Sequence, residues 1–396
     1  MKIINKTAIL RGSYQKLVKL FPDKPWNLSI SKLNKTKSAT IIELSEYYIA
    51  YGVALWGEGK YFNGPNEYDV MSMNEALFYC GKIMEYADLL EEANKDKFLA
   101  RFKAAFGQPN DMRALVFEIF TYYSLGSFGY VVEPKDDDAM GETYDYLVTN
   151  GNKEIQVECK SFSYDKGLIL SGEDAYELAI NLLSEKLTLT NKPERNISVL
   201  TVELTSESLM YINDKKVLVR KIVDSLNAGE YYTNEFNLYL ESFNDVDDIN
   251  DIDSWQKLSI KKRGIEIATV ASEPDGVSSR ICLLITTPIN NSFLRNFEKI
   301  CNKAAKKQLG DTKPSSIAIH FSNYESLYKA CINSSQFNNK IDLLFKQKHI
   351  ISVLFVSNIS VYEEERFPFF SLAPRFKEIR NVNSIYYDDG PLKPEI

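Results

Sequence analysis

The sequence predicts an α/β protein with a mixed sheet, a helical N-terminal region and a large strand-rich insertion. Three observations carry that expectation. Residues 72–105 set Leu77, Phe78, Ile83, Met84, Tyr86, Leu89 and Leu90 at helical spacing, with Glu and Lys between them. From residue 111 the pattern changes to short alternating elements. Among these, Asn150-Gly151 stands between two alternating runs, and Asn-Gly in that setting marks a tight hairpin.

Composition bounds the function. A chain of 396 residues suggests two or three domains, or one core with large insertions. With 47 Lys+Arg against 54 Asp+Glu the net charge is −7, so any contact with nucleic acid must come from a local basic patch. Two histidines, His320 and His349, argue against a zinc finger or a His-rich metal cage. The five cysteines (Cys80, Cys159, Cys282, Cys301 and Cys331) contain no C-x-x-C pair and read as free thiols in a reducing compartment. The first residues lack the apolar core of a signal peptide, and no apolar run approaches the ~18 residues of a membrane span. The expectation is a cytoplasmic protein without a membrane partner.

The elements follow in order. Residues 1–110 read as a helical domain, with a further apolar stretch at 39–55 punctuated afterwards by Gly57, Gly59 and Gly64. Pro109-Asn110-Asp111 is a break, with Asp111 suited to cap the next helix. Residues 112–125 read as a buried helix, 128–132 as a strand and 133–141 as a polar turn. Residues 143–148 and 154–162 form the hairpin, 173–189 a helix and 197–204 a strand. That order, α-β-β-β-α-β, suggests one mixed sheet with helices on its faces. Beyond it, 215–226 is helical, and 231–242 and 255–271 are strand-rich. The acidic stretch 245–253 lacks the Gly of a calcium loop and reads as a solvated turn. A strand at 281–286, a helix at 291–309 and strands at 316–321 and 350–356 follow. The tail after residue 363 is poorly patterned. The domains expected are 1–110, 111–360 with an insertion at about 206–280, and a tail at 361–396.

The chemistry concentrates in residues 142–161, ETYDYLVTNGNKEIQVECKS. Side chains alternate along a strand, so Ile155, Val157 and Cys159 share one face while Gln156, Glu158 and Lys160 share the other. Asp145 begins the preceding strand and falls across the hairpin close to Glu158. With the backbone carbonyl of Cys159, the two carboxylates would make a hard oxygen site for Mg²⁺ or Mn²⁺. Lys160 would orient a water and offset negative charge developing on a phosphoryl group. Glu-x-Lys also occurs at Glu58 to Lys60 and at Glu133 to Lys135, but neither sits in an alternating strand behind an Asp-bearing hairpin. The plainer alternative is a surface hairpin with a Glu and a Lys on its wet face.

Asp145 with Glu158-Cys159-Lys160, inside α-β-β-β-α-β, resembles the PD-(D/E)XK, or restriction-endonuclease-like, nuclease superfamily. The resemblance spans about residues 111–205, with extension to 357, and Tyr144 stands where the family usually has Pro. It implies a restriction-endonuclease-like αβββαβ core, Asp145 and Glu158 as metal ligands, and Lys160 as the catalytic lysine. Many members add an acid from the helix before the sheet. Glu118 fits, as the only acidic residue between 114 and 123, where a charge is unfavourable unless paired or facing a site. Pairing with Arg113 or reaching to water is the alternative.

Two helices compete for the later helix of such a core. Residues 173–189 offer Lys186 as a phosphate contact, and 291–309 offer Lys303, Lys306, Lys307 and Gln308. A solvated helix face explains those lysines equally well. Further basic stretches at Lys215-Lys216, Arg220-Lys221, Lys257 and Lys261-Lys262-Arg263 lie near Tyr231, Tyr232 and Trp255, and suit either backbone tracking or an ordinary surface. The resemblance implies a Mg²⁺-dependent endonuclease, DNA more than RNA as substrate, and a role in host defence or restriction. RNA cleavage is one alternative. The other is a non-catalytic module on a degenerate nuclease fold, binding nucleic acid or a partner. Residues 1–110 are expected to dock a protein partner and to hold no catalytic group.

Overall fold

The computed structural model describes residues 6–33, 47–59, 67–135, 144–162, 172–185, 196–205, 207–208, 214–244, 265–272, 280–287, 291–321, 331–357, 359, 361–363, 370–372 and 374–387. It divides into two compact units. The first comprises residues 1–163, 298–323 and 341–396, and the second 164–297 and 324–340.

The first unit opens with helices α1 (Lys6–Leu20), α2 (Pro25–Leu33), α3 (Tyr48–Gly57), α4 (Glu67–Ala87), α5 (Glu92–Ala105) and α6 (Pro109–Ser127). Helix α3, YIAYGVALWG, is apolar nearly all round and is accordingly buried from Ile49 to Trp56, apart from Tyr51. Gly52 lets it approach α4, because a Cβ there would lie 2.0 Å from the Ser72 carbonyl oxygen. Helix α6 begins earlier than expected. Pro109, whose fixed φ suits a first turn, starts it, Gln108 is the cap residue, and Asp111 lies in the first turn.

Strands β1 (Val131–Pro134), β2 (Tyr146–Asn150) and β3 (Lys153–Phe162) form an antiparallel meander. Gly151, at φ +61°, supplies the left-handed backbone that the β2–β3 turn requires. After β3 the chain runs through the second unit. It returns in α9 (Asn291–Lys303), whose last turn continues as a π-helical stretch, Ala304–Gln308. Then β8 (Ser315–Phe321) pairs parallel with β3, and β9 (Ile350–Ser357) parallel with β8. Every residue of β8 and β9 is buried, as central parallel strands require. Strand β12 (Arg375–Arg380) closes the sheet antiparallel to β9, giving the order β1-β2-β3-β8-β9-β12. Strands β10 (Val361–Glu363) and β11 (Phe370–Leu372) pair only with each other.

The second unit contains α7 (Gly172–Ser184), β4 (Asn196–Leu204), α8 (Lys215–Ala228), β5 (Phe236–Asn244), β6 (Ile265–Ser272), β7 (Arg280–Thr287) and most of α10 (Ser335–Leu344). Its sheet runs β5-β4-β7-β6 and is also mixed. Leu178 and Leu182 of α7 and Leu218 and Ile222 of α8 share its core with Leu200, Val202, Leu283 and Ile285.

Three expectations are corrected. The strand at 197–204 belongs to the second unit's sheet, so the intervening segment starts near residue 164 and not near 206. Residues 1–110 are not a separate domain. Leu17, Trp26, Val53, Leu77 and Ile83 share one hydrophobic core with Phe117 of α6, Val157 of β3 and Leu354 of β9. The tail is not all irregular, since β12 completes the first sheet. Among the described residues no helix is long and apolar enough to cross a membrane.

Candidate functional site

The β2–β3 register pairs Tyr146 with Val157, and continuing it by one residue sets Asp145 opposite Glu158. Asp145 is buried at the entrance to β2. Its Oδ2 accepts the Cys159 backbone N–H at 2.6 Å, and its own carbonyl accepts the Lys135 N–H at 2.9 Å. Both ends of the residue are therefore held by neighbouring strands. Glu158 is 1% exposed, and its Oε1 accepts a hydrogen bond from Lys160 Nζ. The two stand at i and i+2, on the same face of β3, as alternation requires.

Glu118 comes from α6, with its side chain 12% exposed. Its Oε1 pairs with Arg101 Nη2 at 2.5 Å. Its carbonyl oxygen accepts the Tyr146 hydroxyl at 2.9 Å, which fastens the helix to β2 one residue after Asp145. Arg113, the alternative partner read from the sequence, donates instead to Asn110 Oδ1. Arg101 lies on α5, within the region expected to hold no catalytic group, and pairs with an acid of the cluster. Nothing in its local pattern, a basic residue on a polar helix, marks it out.

The cluster is electrostatically coupled. Burial, reinforced by the negative charges of Glu118 and Glu158, holds the Asp145 carboxyl well above the ordinary aspartate range, against the opposing pull of the Cys159 N–H and of Lys160. For Lys160, burial acts to lower its pKa. The charge of Glu158 and the hydrogen bond to it outweigh that, and the ammonium ends above its usual value. Lys160 is thus a firm cation at neutral pH. The Cys159 thiol is pushed up by burial and then by Asp145 and Glu118, and it lies on the apolar face toward Thr121 of α6.

A cleft of about 260 Å³ opens beside these groups, with Arg101, Glu118, Lys135, Asp145, Tyr86 and Phe98 in its wall. Lys135 Nζ pairs with Glu133 at 2.7 Å at its rim. Glu158 and Lys160 are not in that wall. Residues 301–310 lie near their face of β3. Cys301 feels the Lys160 charge, and the Gly310 N–H donates to Gln156 Oε1 at 2.8 Å. Of the two competing helices, the C-terminal end of α9 and the π-helical stretch after it belong to the first unit with the motif strand, whereas α7 belongs to the second.

The remaining expectations divide. Lys303, Lys306 and Lys307 are exposed and Gln308 is half-buried in the π-helical stretch. Lys186, Lys60, Trp255, Lys257, the Lys261-Lys262-Arg263 run, residues 245–253 and most of the polar turn at 133–141 lie outside the described residues. The basic stretch on α8 is offset by acids. Lys215 pairs with Asp174 at 2.7 Å and with Glu177, and Lys221 with Glu235 at 2.5 Å. Tyr231 and Tyr232 are exposed. Both histidines have structural surroundings. His320 stacks on Phe117 at 5.1 Å, and burial with the Arg113 charge pushes its pKa down to about 3. His349 Nε2 bonds the Ala305 carbonyl at 3.0 Å.

Among the described residues no group of three or more His, Cys, Asp and Glu side chains forms a ready-made metal cage. Asp145 is engaged by an N–H, Glu158 by Lys160 and Glu118 by Arg101. Cys159 meets Asp145 through its backbone N–H.

No protein-family model, curated protein or solved structure matches the chain.

Proposed function

We propose that the chain is a metal-dependent nuclease of the PD-(D/E)XK type, hydrolysing phosphodiester bonds of DNA. The observation that carries this reading is the meeting of Asp145, Glu158 and Lys160 at one end of a hairpin with Glu118 from the preceding helix. The order α6-β1-β2-β3-α9-β8, with β3 and β8 parallel, supports it by following the αβββαβ sequence of that fold. A host-defence or restriction role rests on fold analogy alone.

The donor chemistry fits a divalent cation. Three carboxylates influence one another at a buried site, and the raised pKa of Asp145 marks a place short of positive charge. Asp145, Glu158 and Glu118 would hold the ion. Once bound, it would neutralise the acids and the scissile phosphate together. Arg101 and Lys160 are the internal cations that balance Glu118 and Glu158 without it.

The residues have distinct tasks. Lys160 is already protonated, so it takes no proton from the attacking water; it donates hydrogen bonds to that water and to the phosphoryl oxygens. The Cys159 N–H holds the Asp145 carboxylate in one orientation. In the reaction the water oxygen bonds to phosphorus and gives up a proton to bulk water, the bond to the leaving oxygen breaks, and that oxygen takes up a proton from bulk water.

The test incubates the purified chain with plasmid DNA or structured RNA, with Mg²⁺, Mn²⁺ or chelator. Cleavage of DNA with metal, none with chelator and none by Lys160→Ala is expected. Cleavage of RNA alone would move the reading to an RNA nuclease at the same site. No cleavage of either by folded wild type would favour the non-catalytic module. That second reading has one observation behind it, namely that each acid already has an internal donor.

A further inference from the structure

We infer that Arg113, His320 and Ser161 form a binding site for a small oxyanion of the phosphate class, on the α6 side of the first sheet. The inference stands apart from the nuclease reading, because Ser161 lies on the face of β3 opposite Glu158 and Lys160. In the parallel β3–β8 register Ser161 pairs with His320, so the two side chains project from one face, two residues beyond Cys159 and Ala318. That face packs on α6. His320 stacks on the Phe117 ring at 5.1 Å, and Arg113 precedes Phe117 by one helical turn on the same helix face. The Arg113 charge reaches the His320 ring.

The polar demand of these groups is not met within the chain. Arg113 is 5% exposed and donates to Asn110 Oδ1; among the described residues it forms no ion pair. A buried guanidinium without a counterion is unfavourable. Glu75 does not balance it. Tyr48 feels both Glu75 and Arg113, but burial pushes the Glu75 carboxyl up to about 8 and leaves it mainly protonated at pH 7. His320 is 4% exposed, and its Nδ1 is buried without a hydrogen-bond partner, as is Ser161 Oγ. Buried polar atoms are nearly always paired, so these orphans need a partner from outside the chain. The charge beside them selects its sign, since a cation would meet Arg113. The neutral imidazole carries one N–H, the serine one O–H, and the guanidinium donors that Asn110 does not use. An oxyanion accepts from all of these, and the planar fork of arginine matches two of its oxygens.

The experiment measures Tm and binding calorimetry at pH 7 with inorganic phosphate, against chloride of equal ionic strength, and with adenosine monophosphate as a phosphate ester. Wild type should gain a few degrees in phosphate. Ser161→Ala should bind phosphate about 10-fold more weakly, yet match or exceed the wild-type Tm in chloride, because it removes a buried hydroxyl that has no partner. Arg113→Met should lose the gain, and Lys160→Ala should keep it. Phosphate should shift the His320 ring signals in the NMR spectrum, assigned by their loss in His320→Phe, and leave those of His349 in place. Binding of the ester as well as of phosphate would assign the site to a phosphate monoester, and binding of phosphate alone to the free anion; both support the inference. No gain in phosphate over chloride overturns it. A gain lost in Lys160→Ala but kept in Ser161→Ala would place the anion at the acid cluster and overturn it too. Should Arg113→Met fail to fold, Ser161→Ala decides: an unchanged phosphate affinity overturns the inference and a weaker one supports it. None of these outcomes depends on cleavage.

Discussion

The Cys159 backbone N–H points at Asp145 Oδ2 across 2.6 Å, so one strand's main chain orients the acid that begins the other. A single hydrogen bond to a buried carboxylate does not offset its desolvation, and two further carboxylates raise the demand. The site is built under electrostatic strain that a cation would relieve.

That strain makes a pH prediction. Asp145 has a folded-state pKa above its unfolded value near 4. Its contribution to stability is therefore complete below about pH 4 and is lost as pH rises through the folded value. Asp145→Asn keeps an acceptor for the Cys159 N–H and removes the titration. In chelator its Tm should exceed that of wild type by a few degrees at pH 7, with the gap shrinking toward pH 4. A gap independent of pH would show that Asp145 is not the group responsible.

Lys160→Ala separates turnover from metal binding. The lysine should stabilise charge on the reacting phosphate more than on the bound substrate, so kcat should fall at least 100-fold with KM little changed. Mn²⁺ affinity by calorimetry should fall less than in Glu158→Ala, because only the latter removes a ligand oxygen. Wild-type cleavage by Lys160→Ala would end the assignment.

Tyr146→Phe tests the fastening of α6 to β2. It removes the hydroxyl that reaches the Glu118 carbonyl at 2.9 Å. Denaturant unfolding should show a loss of about 1 kcal/mol. Cleavage should fall by a larger factor than that loss explains, because Glu118 is no longer held to the strand that carries Asp145. Unchanged cleavage would show that the helix keeps its place without the bond.

Gly52→Ala probes the close approach of α3 and α4. The added methyl would meet backbone, the Ser72 oxygen at 2.0 Å, which cannot rotate away. A loss of about 3 kcal/mol or more is expected, read as a lower urea midpoint. A substitution within 1 kcal/mol of wild type would mean that the two helices separate easily.

The alternation of residues 153–162 was enough to put Glu158 and Lys160 on one face, and Asn150-Gly151 was enough to mark the hairpin that brings Asp145 near Glu158, while the register that sets them opposite, with Gly151 and Asn152 as the loop residues, appears only in the structure. These are local relations, set by the period of a strand and the geometry of a two-residue turn. Glu118 was legible for a different reason, since a lone acid in an apolar helix must be paired or must face a site.

Which strands share a sheet was not legible. Residues 196–204 and 315–321 have similar apolar patterns, yet only the second pairs with β3. Periodicity reports that a strand is buried and not beside which neighbour, because pairing is decided by packing among segments far apart in the chain. For the same reason Arg101 had no signature: its pairing with Glu118 follows from α5 packing against the core that also holds α6. The sequence by itself determined the hairpin, its alternation and the acids and lysine it carries. The tertiary structure decided that β8 pairs with that hairpin, that the N-terminal helices share its core, and that an arginine stands at the cleft, since long-range burial alone selects among locally equivalent elements.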